Sequence, residues 1–355
     1  MRRAVFAIPG DLTTVTGGYL YERRLLEGLR EVGTDVQHLP LGASFPDPSP
    51  ADLAHAVAAM AAVDPATPLI LDGFVFGSMP TETLARLRAP IVGMVHHPLA
   101  HEEGLSAARR AHLFRTERDN LRLAAAVLVP SPHTARILAG EYGADPARIT
   151  IARPGTDRPT GGRAPGAPPL ILSVGIQHPR TGPDILLQAL ARLTDLEWTA
   201  VIVGSAYDPG HAAALSRARH ELGLSDRVRL AGGVPDAERD DLYRGATVFA
   251  LATRYEGYGL VFDEALAHGL PIVSCRTGAV PETVPPAAGL LVPPDDPASF
   301  ADALRTVLVD AARRATMARA AAEAGTTLPS WLDTATTAQA ALDAVTGGAL
   351  RRPNP

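Results

Sequence analysis

The chain has 355 residues, of which 46% are hydrophobic and 20% are charged, a length and composition expected of two globular domains. Its 38 acidic residues outnumber its 33 basic residues, and the resulting net charge of −5 disfavours a nucleic-acid-binding protein. All the basic residues are arginines, and the absence of lysine excludes a Walker A motif and any pyridoxal-phosphate or other Schiff-base enzyme.

The cysteine count and the lengths of the apolar runs exclude further classes of protein. The one cysteine, Cys275, permits neither an intramolecular disulfide nor a cysteine-rich zinc site. No apolar run approaches the roughly 18 residues that a membrane helix needs. The opening residues MRRAVFAIPG contain only a short apolar run before Pro9 and Gly10, which favours a first strand over a signal peptide. We therefore expect a cytoplasmic protein.

The first half of the sequence alternates short apolar runs with helical patterns. The apolar runs predict strands at 4–8, 36–39, 69–71, 91–95, 126–129 and 149–151. The stretches between them predict helices at 19–32, 51–62, 81–88, 106–124 and 133–142. Gly17 and Gly18 precede the first helix, and Gly33 ends it. Strands that alternate with helices predict right-handed βαβ units and a parallel sheet.

The residues 153–169 are rich in proline and glycine, and the alternation restarts after them. Apolar runs in the second half predict strands at 170–174, 199–203, 228–230, 248–251, 272–274 and 290–292. Helices are predicted at 184–193, 211–221, 237–245, 260–267, 298–310 and 331–345. The sequence therefore predicts an α/β protein with two Rossmann-like domains facing a cleft, at 1–160 and 165–327. Helices within 328–346 are expected to pack back on the first domain.

The segment 254–284, RYEGYGLVFDEALAHGLPIVSCRTGAVPETV, carries the most specific pattern. Its loop follows a predicted strand, and ligands bind at the carboxyl ends of strands in such sheets. Gly257 and Gly259 let the backbone approach a ligand, and the N–H groups at the start of the helix at Leu260 can hold a phosphate. The carboxylates of Glu256 and Glu264 can accept hydrogen bonds from the hydroxyls of a sugar and a ribose.

Polar residues also follow two predicted strands of the first half. His96 and His97 come directly after the strand at 91–95, and Asp72 follows the strand at 69–71. The histidine pair could bind a metal, but the chain contains no Asp-x-Asp motif to complete such a site, so we expect none. We expect one histidine to be functional and the other structural. Asp72 either contacts an acceptor or forms a strand-to-loop turn.

The segment 254–284 resembles the E-x7-E signature of retaining glycosyltransferases of family 4, which have the GT-B fold. The resemblance extends over nearly the whole chain, through Gly17-Gly18, the helix SPHTARIL at 131–138, Pro154-Gly155-Thr156-Asp157, Ser173-Val174-Gly175 and Gly232-Gly233-Val234. It implies a nucleotide-sugar donor in the second domain and an acceptor in the first.

The resemblance also implies roles for single residues. Glu256 would bind the hydroxyls of the donor sugar, Glu264 would bind the ribose, and His96, with His97 as the alternate, would lie near the transferring sugar. The N–H groups of Tyr258, Gly259 and Leu260 would line the sugar and phosphates. The remaining implied contacts are Gly175, Arg180, Gly204, Val234 and Gly257 for the donor and Gly17, Gly18 and Asp72 for the diphosphate or acceptor.

The loop 175–182 departs from the family pattern G-R-L-x-x-x-K-G. Ile176 stands at the arginine position and Thr181 at the lysine position. Arg180, one residue earlier, is the natural replacement, because arginine is a good and often bidentate phosphate ligand. The alternative interpretation of Arg180 is an exposed loop cation.

These features predict a retaining, metal-independent glycosyltransferase that uses a small-molecule donor and acceptor and no cofactor. A nucleotide-sugar epimerase of the same fold and a non-catalytic sugar-nucleotide-binding partner protein are the alternatives. The helix within 105–122 mixes arginines with acidic residues, which favours a solvated face over weak peripheral contact with a membrane. The donor sugar, base, acceptor and oligomeric state are left open.

Overall fold

Aliphatic runs form the strands of two parallel sheets. The computed structural model describes residues 2–14, 16–102, 104–206 and 208–348. The chain divides into two compact units, Met1–Gly155 with Pro329–Pro355 (unit 1) and Thr156–Leu328 (unit 2). It passes once from unit 1 to unit 2 and returns for its last helix.

The described residues of unit 1 form one parallel sheet of six strands covered by helices. Its strands are β1 (Arg2–Pro9), β2 (Thr34–Leu41), β3 (Leu69–Leu71), β4 (Ile91–Met94), β5 (Ala126–Val129) and β6 (Ile149–Ile151). Its helices up to the linker are α1 (Gly17–Glu31), α2 (Pro50–Ala61), α3 (Gly73–Ser78), α4 (Thr81–Ala85), α5 (Ala107–Leu121) and α6 (Pro132–Gly140). The strand order is β2-β1-β3-β4-β5-β6.

The described residues of unit 2 repeat this architecture. The strands are β7 (Leu170–Val174), β8 (Thr199–Val203), β9 (Val228–Gly232), β10 (Val248–Leu251), β11 (Ile272–Cys275) and β12 (Gly289–Val292). The helices are α7 (Pro183–Ala191), α8 (Pro209–Glu221), α9 (Asp236–Gly245), α10 (Leu260–Ala267), α11 (Val280–Thr283), α12 (Pro297–Val309) and α13 (Ala311–Thr326). The strand order is β12-β11-β10-β7-β8-β9.

The last helix, α14 (Trp331–Thr346), belongs to unit 1 and packs on α1. Its buried residues Ala338 and Leu342 join a core with Leu25 and Leu29. The two helices approach closely at Gly28, where a Cβ would lie 2.7 Å from the Cβ of Ala335. This glycine therefore sets the distance between the helices.

Local signals account for the ends of α1. The Thr16 side chain accepts a hydrogen bond from the Tyr19 N–H, so the helix begins at Gly17, two residues earlier than predicted. At the other end Gly33 adopts a φ of +89°, a conformation that glycine reaches without strain. The two glycines at 17 and 18 thus lie in the helix itself, not in a loop before it.

Most predicted elements are confirmed. The bounds of β3, β5, β6, β7, β8, β10 and α10 are those expected from the sequence. The predicted helix at 81–88 is shorter, ending at Ala85, and three helices were not predicted, namely α3, α11 and α13. Helix α13 escapes notice because only three of its described residues are buried, Met317, Ala321 and Gly325, and only one of them is a large apolar residue. Among the described helices, none combines the length and apolarity that a membrane span requires.

Candidate functional site

Each sheet has a point at which the strand order reverses. In unit 1 the chain adds β2 on one side of β1 and then β3 on the other. In unit 2 it adds β8 and β9 on one side of β7 and then β10 on the other. In open α/β sheets ligands bind outside the carboxyl ends of the strands at such points. The loops after β1, β3, β7 and β10 are therefore the candidate ligand-binding segments.

In unit 2 the loop after β10 fixes Glu256 from several sides. The buried Thr253 hydroxyl lies 3.1 Å from Glu256 Oε1. The Ala279 N–H donates to the carbonyl oxygen of Glu256 at 2.8 Å. Gly278 has a φ of +51°, and a Cβ there would lie 2.2 Å from the same carbonyl oxygen. Both the side chain and the backbone of Glu256 are thus held before any ligand binds, and the glycine at 278 permits the close contact.

The start of α10 depends on Gly259. This residue has a φ of +88°, and a Cβ there would lie 2.5 Å from Cδ2 of Phe262. The neighbouring Tyr258 is buried, its hydroxyl donates to Asp263, and its carbonyl oxygen accepts from the Thr283 hydroxyl at 2.9 Å. The helix therefore begins at Leu260 as predicted, with its first N–H groups directed toward the carboxyl end of the sheet.

Arg180 is a paired residue and not an exposed loop cation. Its Nη1 donates to the carbonyl oxygen of Tyr255 at 3.1 Å and lies 3.6 Å from Glu256 Oε2. Thr181, at the family's lysine position, is turned into its own loop, where its hydroxyl lies 2.6 Å from the carbonyl oxygen of Ile176. The loop after β7 therefore offers Arg180 as its cation and directs it to the loop after β10.

Glu264 lies one turn into α10, in a largely enclosed position. Its Oε2 is 4.0 Å from Nε of Arg239 and forms no hydrogen bond. Burial raises the pKa of this carboxyl, and the charge of Arg239 lowers it less strongly. An acceptor oxygen that is buried and unpaired can accept a hydrogen bond from a ligand hydroxyl.

The remaining predicted donor contacts lie at the ends of neighbouring strands. Gly175 follows β7, and Gly204 follows β8 with a φ of +144°. A Cβ at Gly204 would lie 1.9 Å from the carbonyl oxygen of Gly175, so the packing of these two loops requires glycine there. The Gly204 N–H donates to the carbonyl oxygen of Gly232 at 2.8 Å, and Val234 packs against the core of unit 2.

In unit 1 three polar side chains converge beside the reversal point. Glu22 from α1, Asp72 after β3 and His96 after β4 each have a ligand atom within 4.8 Å of the others. His96 Nε2 lies 3.5 Å from Glu22 Oε1, and neither atom has a hydrogen-bond partner. We call these three residues the acid–histidine cluster. Gly18 lies beside it, since a Cβ there would be 3.8 Å from the His96 ring.

Burial governs the ionisation of the acid–histidine cluster. It raises the pKa of Glu22 to about 7. It also raises the pKa of Asp72 well above its usual range, and the nearby Glu22 carboxylate adds to that effect. Burial lowers the pKa of His96, which disfavours the imidazolium. Burial therefore favours the uncharged forms of all three groups.

The two adjacent histidines point to different partners. His97 pairs with Glu102, whereas His96 meets Glu22 and Asp72. Asp72 has a local structural role at the end of β3, because its Oδ1 accepts from the Phe74 N–H at 2.9 Å and caps helix α3. It is only 4% exposed. The sequence argument against a metal site considered only Asp-x-Asp motifs, whereas the carboxylates near His96 come from two separate elements.

Glu22, Thr253, Gly278 and Glu117 are residues of interest that sequence reasoning missed. Glu22 left a signal, because it is a charged residue on the apolar face of α1 that carries Leu25, Leu26 and Leu29. Glu117 is completely buried in α5, and its Oε2 accepts from the Leu99 N–H at 3.1 Å. It therefore anchors the segment that follows the histidine pair. Its sequence context, between arginines, resembled a solvated face.

The two units define the fold of a GT-B glycosyltransferase. Sucrose-phosphate synthase from Thermosynechococcus elongatus superposes with a TM-score of 0.82 at 22% identity, covering 96% of this chain and 98% of that one. Anabaena HepE in complex with UDP and glucose gives a TM-score of 0.78 at 18% identity, covering 97% and 100%. At these identities the likeness concerns the fold.

Sequence comparison gives the family. The model described as Glycosyltransferase Family 4 matches residues 21–158, and that described as Glycosyl transferases group 1 matches residues 159–324. The chain belongs to glycosyltransferase family 4.

Two curated relatives are named D-inositol 3-phosphate glycosyltransferase. The protein from Kineococcus radiotolerans is 36% identical over 219 residues, 53% of this chain and 50% of the relative. The protein from Xylanimonas cellulosilytica is 33% identical over 248 residues, 64% of this chain and 58% of the relative. The chain thus spans only about half the length of these relatives.

Proposed function

We propose that the protein is a retaining glycosyltransferase that moves a sugar from a nucleotide-diphosphate sugar to an acceptor hydroxyl. The observation that carries the proposal is the pairing of Arg180 with Glu256 at the reversal point of unit 2. The cation suits the diphosphate of a nucleotide sugar, and the carboxylate beside it suits the hydroxyls of the sugar. Family membership supports the same reaction class.

In this proposal Glu256 accepts hydrogen bonds from hydroxyls of the donor sugar, and Glu264 accepts them from the ribose. Arg180 and the first N–H groups of α10 neutralise the diphosphate, so no metal ion is needed for that task. These groups stabilise the negative charge that grows on the leaving diphosphate.

The transfer step conserves the configuration of the sugar. The bond between the anomeric carbon and the diphosphate oxygen breaks, and the acceptor oxygen forms the new bond on the same face. The proton of the acceptor hydroxyl passes to the departing phosphate oxygen. This route requires no covalent nucleophile from the protein.

The acceptor class to be tested first is a polyol. The two curated relatives named above carry inositol phosphate in their names, which supports a cyclic polyol or its phosphate as acceptor.

The test is a screen of nucleotide sugars by thermal shift, followed by turnover with and without a polyol acceptor. A bound donor at 100 times its dissociation constant adds about 2.7 kcal/mol of stability. We expect a glycoside whose anomeric configuration, read by NMR, equals that of the donor, and undiminished transfer after chelation. An inverted product contradicts the retaining mechanism. An isomerised donor without acceptor indicates an epimerase, and donor binding without turnover a binding protein.

A further inference from the structure

The acid–histidine cluster of unit 1 has a chemistry that the proposed transfer does not use. Its members come from three separate elements, the helix α1, the cap of α3 and the end of β4. Their ligand atoms all lie within 4.8 Å of one another. The question is what these groups bind.

Two buried polar atoms of the cluster have no hydrogen-bond partner, although Glu22 and Asp72 share a side-chain hydrogen bond. The side chain of Glu22 is 1% exposed, and its Oε1 has no hydrogen-bond partner. The Nε2 atom of His96 is also buried and has no hydrogen-bond partner. The separation of 3.5 Å between these two atoms is beyond a normal hydrogen bond. Among the described residues, neither Glu22 nor Asp72 forms an ion pair with an arginine. Buried acceptors of this kind require a proton or a cation.

We propose that Glu22, Asp72 and His96 bind a divalent cation that accepts mixed nitrogen and oxygen ligands, such as Zn²⁺ or Mn²⁺. Metal–ligand bonds of about 2.0–2.2 Å place ligand atoms roughly 3–4 Å apart. The cluster already approaches this spacing, so small side-chain adjustments suffice. One imidazole with two carboxylates favours Zn²⁺ or Mn²⁺ over Mg²⁺, which prefers oxygen ligands alone.

The surroundings prepare these ligands for an ion. Asp72 Oδ1 is held by the Phe74 N–H at 2.9 Å, which fixes the orientation of the carboxylate. The Tyr21 ring packs edge-on against the His96 ring with centroids 5.4 Å apart, which restrains the imidazole. Orienting contacts of this kind raise the affinity of metal ligands.

An ion can reach the site from solvent, and an ion bound there has a coordination position free for a further ligand. The His96 side chain is 23% exposed, whereas the two carboxylates lie behind it. Three protein ligands leave at least one coordination position open to water or to an oxygen of a bound molecule. The site lies within unit 1 and includes none of the groups proposed to neutralise the diphosphate, so it stands independently of the transferase proposal.

The test is calorimetric titration of the chelator-treated full-length protein with Zn²⁺, Mn²⁺ and Mg²⁺. We expect one equivalent of Zn²⁺ to bind, with Mg²⁺ much weaker. Losing even an orienting partner costs a metal site about 10–100-fold in affinity, so Glu22→Gln and His96→Gln should each weaken Zn²⁺ binding by at least that factor. The matched control is His101→Gln, because His101 Nε2 also lies 3.5 Å from a carboxylate, that of Glu141.

Two results would overturn the proposal. One is the absence of stoichiometric Zn²⁺ binding by the parent protein. The other is Zn²⁺ affinity that survives Glu22→Gln and His96→Gln but falls in His101→Gln, which would place the ion at a surface histidine. If a variant fails to fold, X-ray absorption of the Zn²⁺-loaded parent decides the matter, because the site requires one imidazole and otherwise oxygen ligands. A shell with several imidazoles or with oxygen alone contradicts it.

Discussion

Arg180 and Glu256 are paired across the two central strands of unit 2, with Nη1 of the arginine 3.6 Å from Oε2 of the glutamate. The two residues come from loops that follow β7 and β10, 76 positions apart, and the arginine also donates to the carbonyl oxygen of Tyr255. Arg180 stands one residue before Thr181, which occupies the lysine position of the family pattern, and we propose that it supplies the missing cation.

The first prediction concerns Arg180→Ala. We expect this substitution to weaken the binding of a nucleoside diphosphate by about 1.5–3 kcal/mol more than the binding of the free nucleoside. This difference is the scale of a hydrogen bond to a charged group. Isothermal titration of both ligands against both proteins measures the difference. Arg229→Ala is the control, because Arg229 is an exposed arginine of the same unit paired with Glu238. Equal losses for the two ligands would show that Arg180 only shapes its loop.

The second prediction concerns Glu256→Ala. Transfer should be abolished, because the donor sugar loses its hydrogen-bond acceptor, whereas the affinity for the nucleoside diphosphate should be nearly unchanged. Turnover assays and titration calorimetry report the two effects separately. Glu238→Ala, which removes an exposed carboxylate of the same unit, serves as the control. Normal turnover by Glu256→Ala would contradict the assignment.

Local patterns were enough to predict the sheets. Apolar runs of four or five residues at 126–129 and 199–203 become strands with the predicted bounds, since buried parallel strands require continuous apolar sequence. Helix α13 was missed because its run of alanines and arginines has no clear apolar face, and its position depends on contact with α10. Such tertiary contacts leave little trace in local sequence.

The sequence predicts the part of the candidate site whose residues lie within one short segment. Glu256, Gly259 and Glu264 were identified as candidates because they lie within nine residues of one another. The acid–histidine cluster was missed because its members are separated by 50 and 24 positions and meet only through the strand order β1-β3-β4. The pairing of Arg180 with Glu256 likewise depends on the adjacency of β7 and β10.

The third prediction concerns Glu264→Gln. If this carboxylate accepts hydrogen bonds from the ribose, the substitution should weaken nucleotide binding by about 1.5–3 kcal/mol. A nucleotide that lacks the 2′- and 3′-hydroxyls should bind the parent protein more weakly than the normal nucleotide does. The variant should bind the two nucleotides with the same affinity. The resulting double-mutant-type cycle isolates the contact. Additive losses would mean that Glu264 acts elsewhere, for example by holding Arg239.

The fourth prediction concerns stability and Glu117. Burial raises the pKa of this carboxyl from 4.5 to about 8, and its Oε1 has no hydrogen-bond partner. A raised pKa means that the folded protein holds the proton more tightly than the unfolded chain does. The stabilisation is complete below the unfolded pKa and is lost as the pH rises through the folded pKa.

The substitution that tests this is Glu117→Gln, which keeps the shape and removes the titration. We expect the unfolding free energy of the parent to fall between about pH 5 and pH 8 by up to roughly 1.4 kcal/mol for each unit of pKa displacement. The variant should fall less, since only other buried acids such as Glu22 still titrate. Urea unfolding across this range gives the measurement, and Glu27→Gln, at an exposed position of α1, is the control. Parallel pH profiles for the parent and Glu117→Gln would show that Glu117 is ionised in the folded protein, and its contact with the Leu99 N–H would then be a charged one.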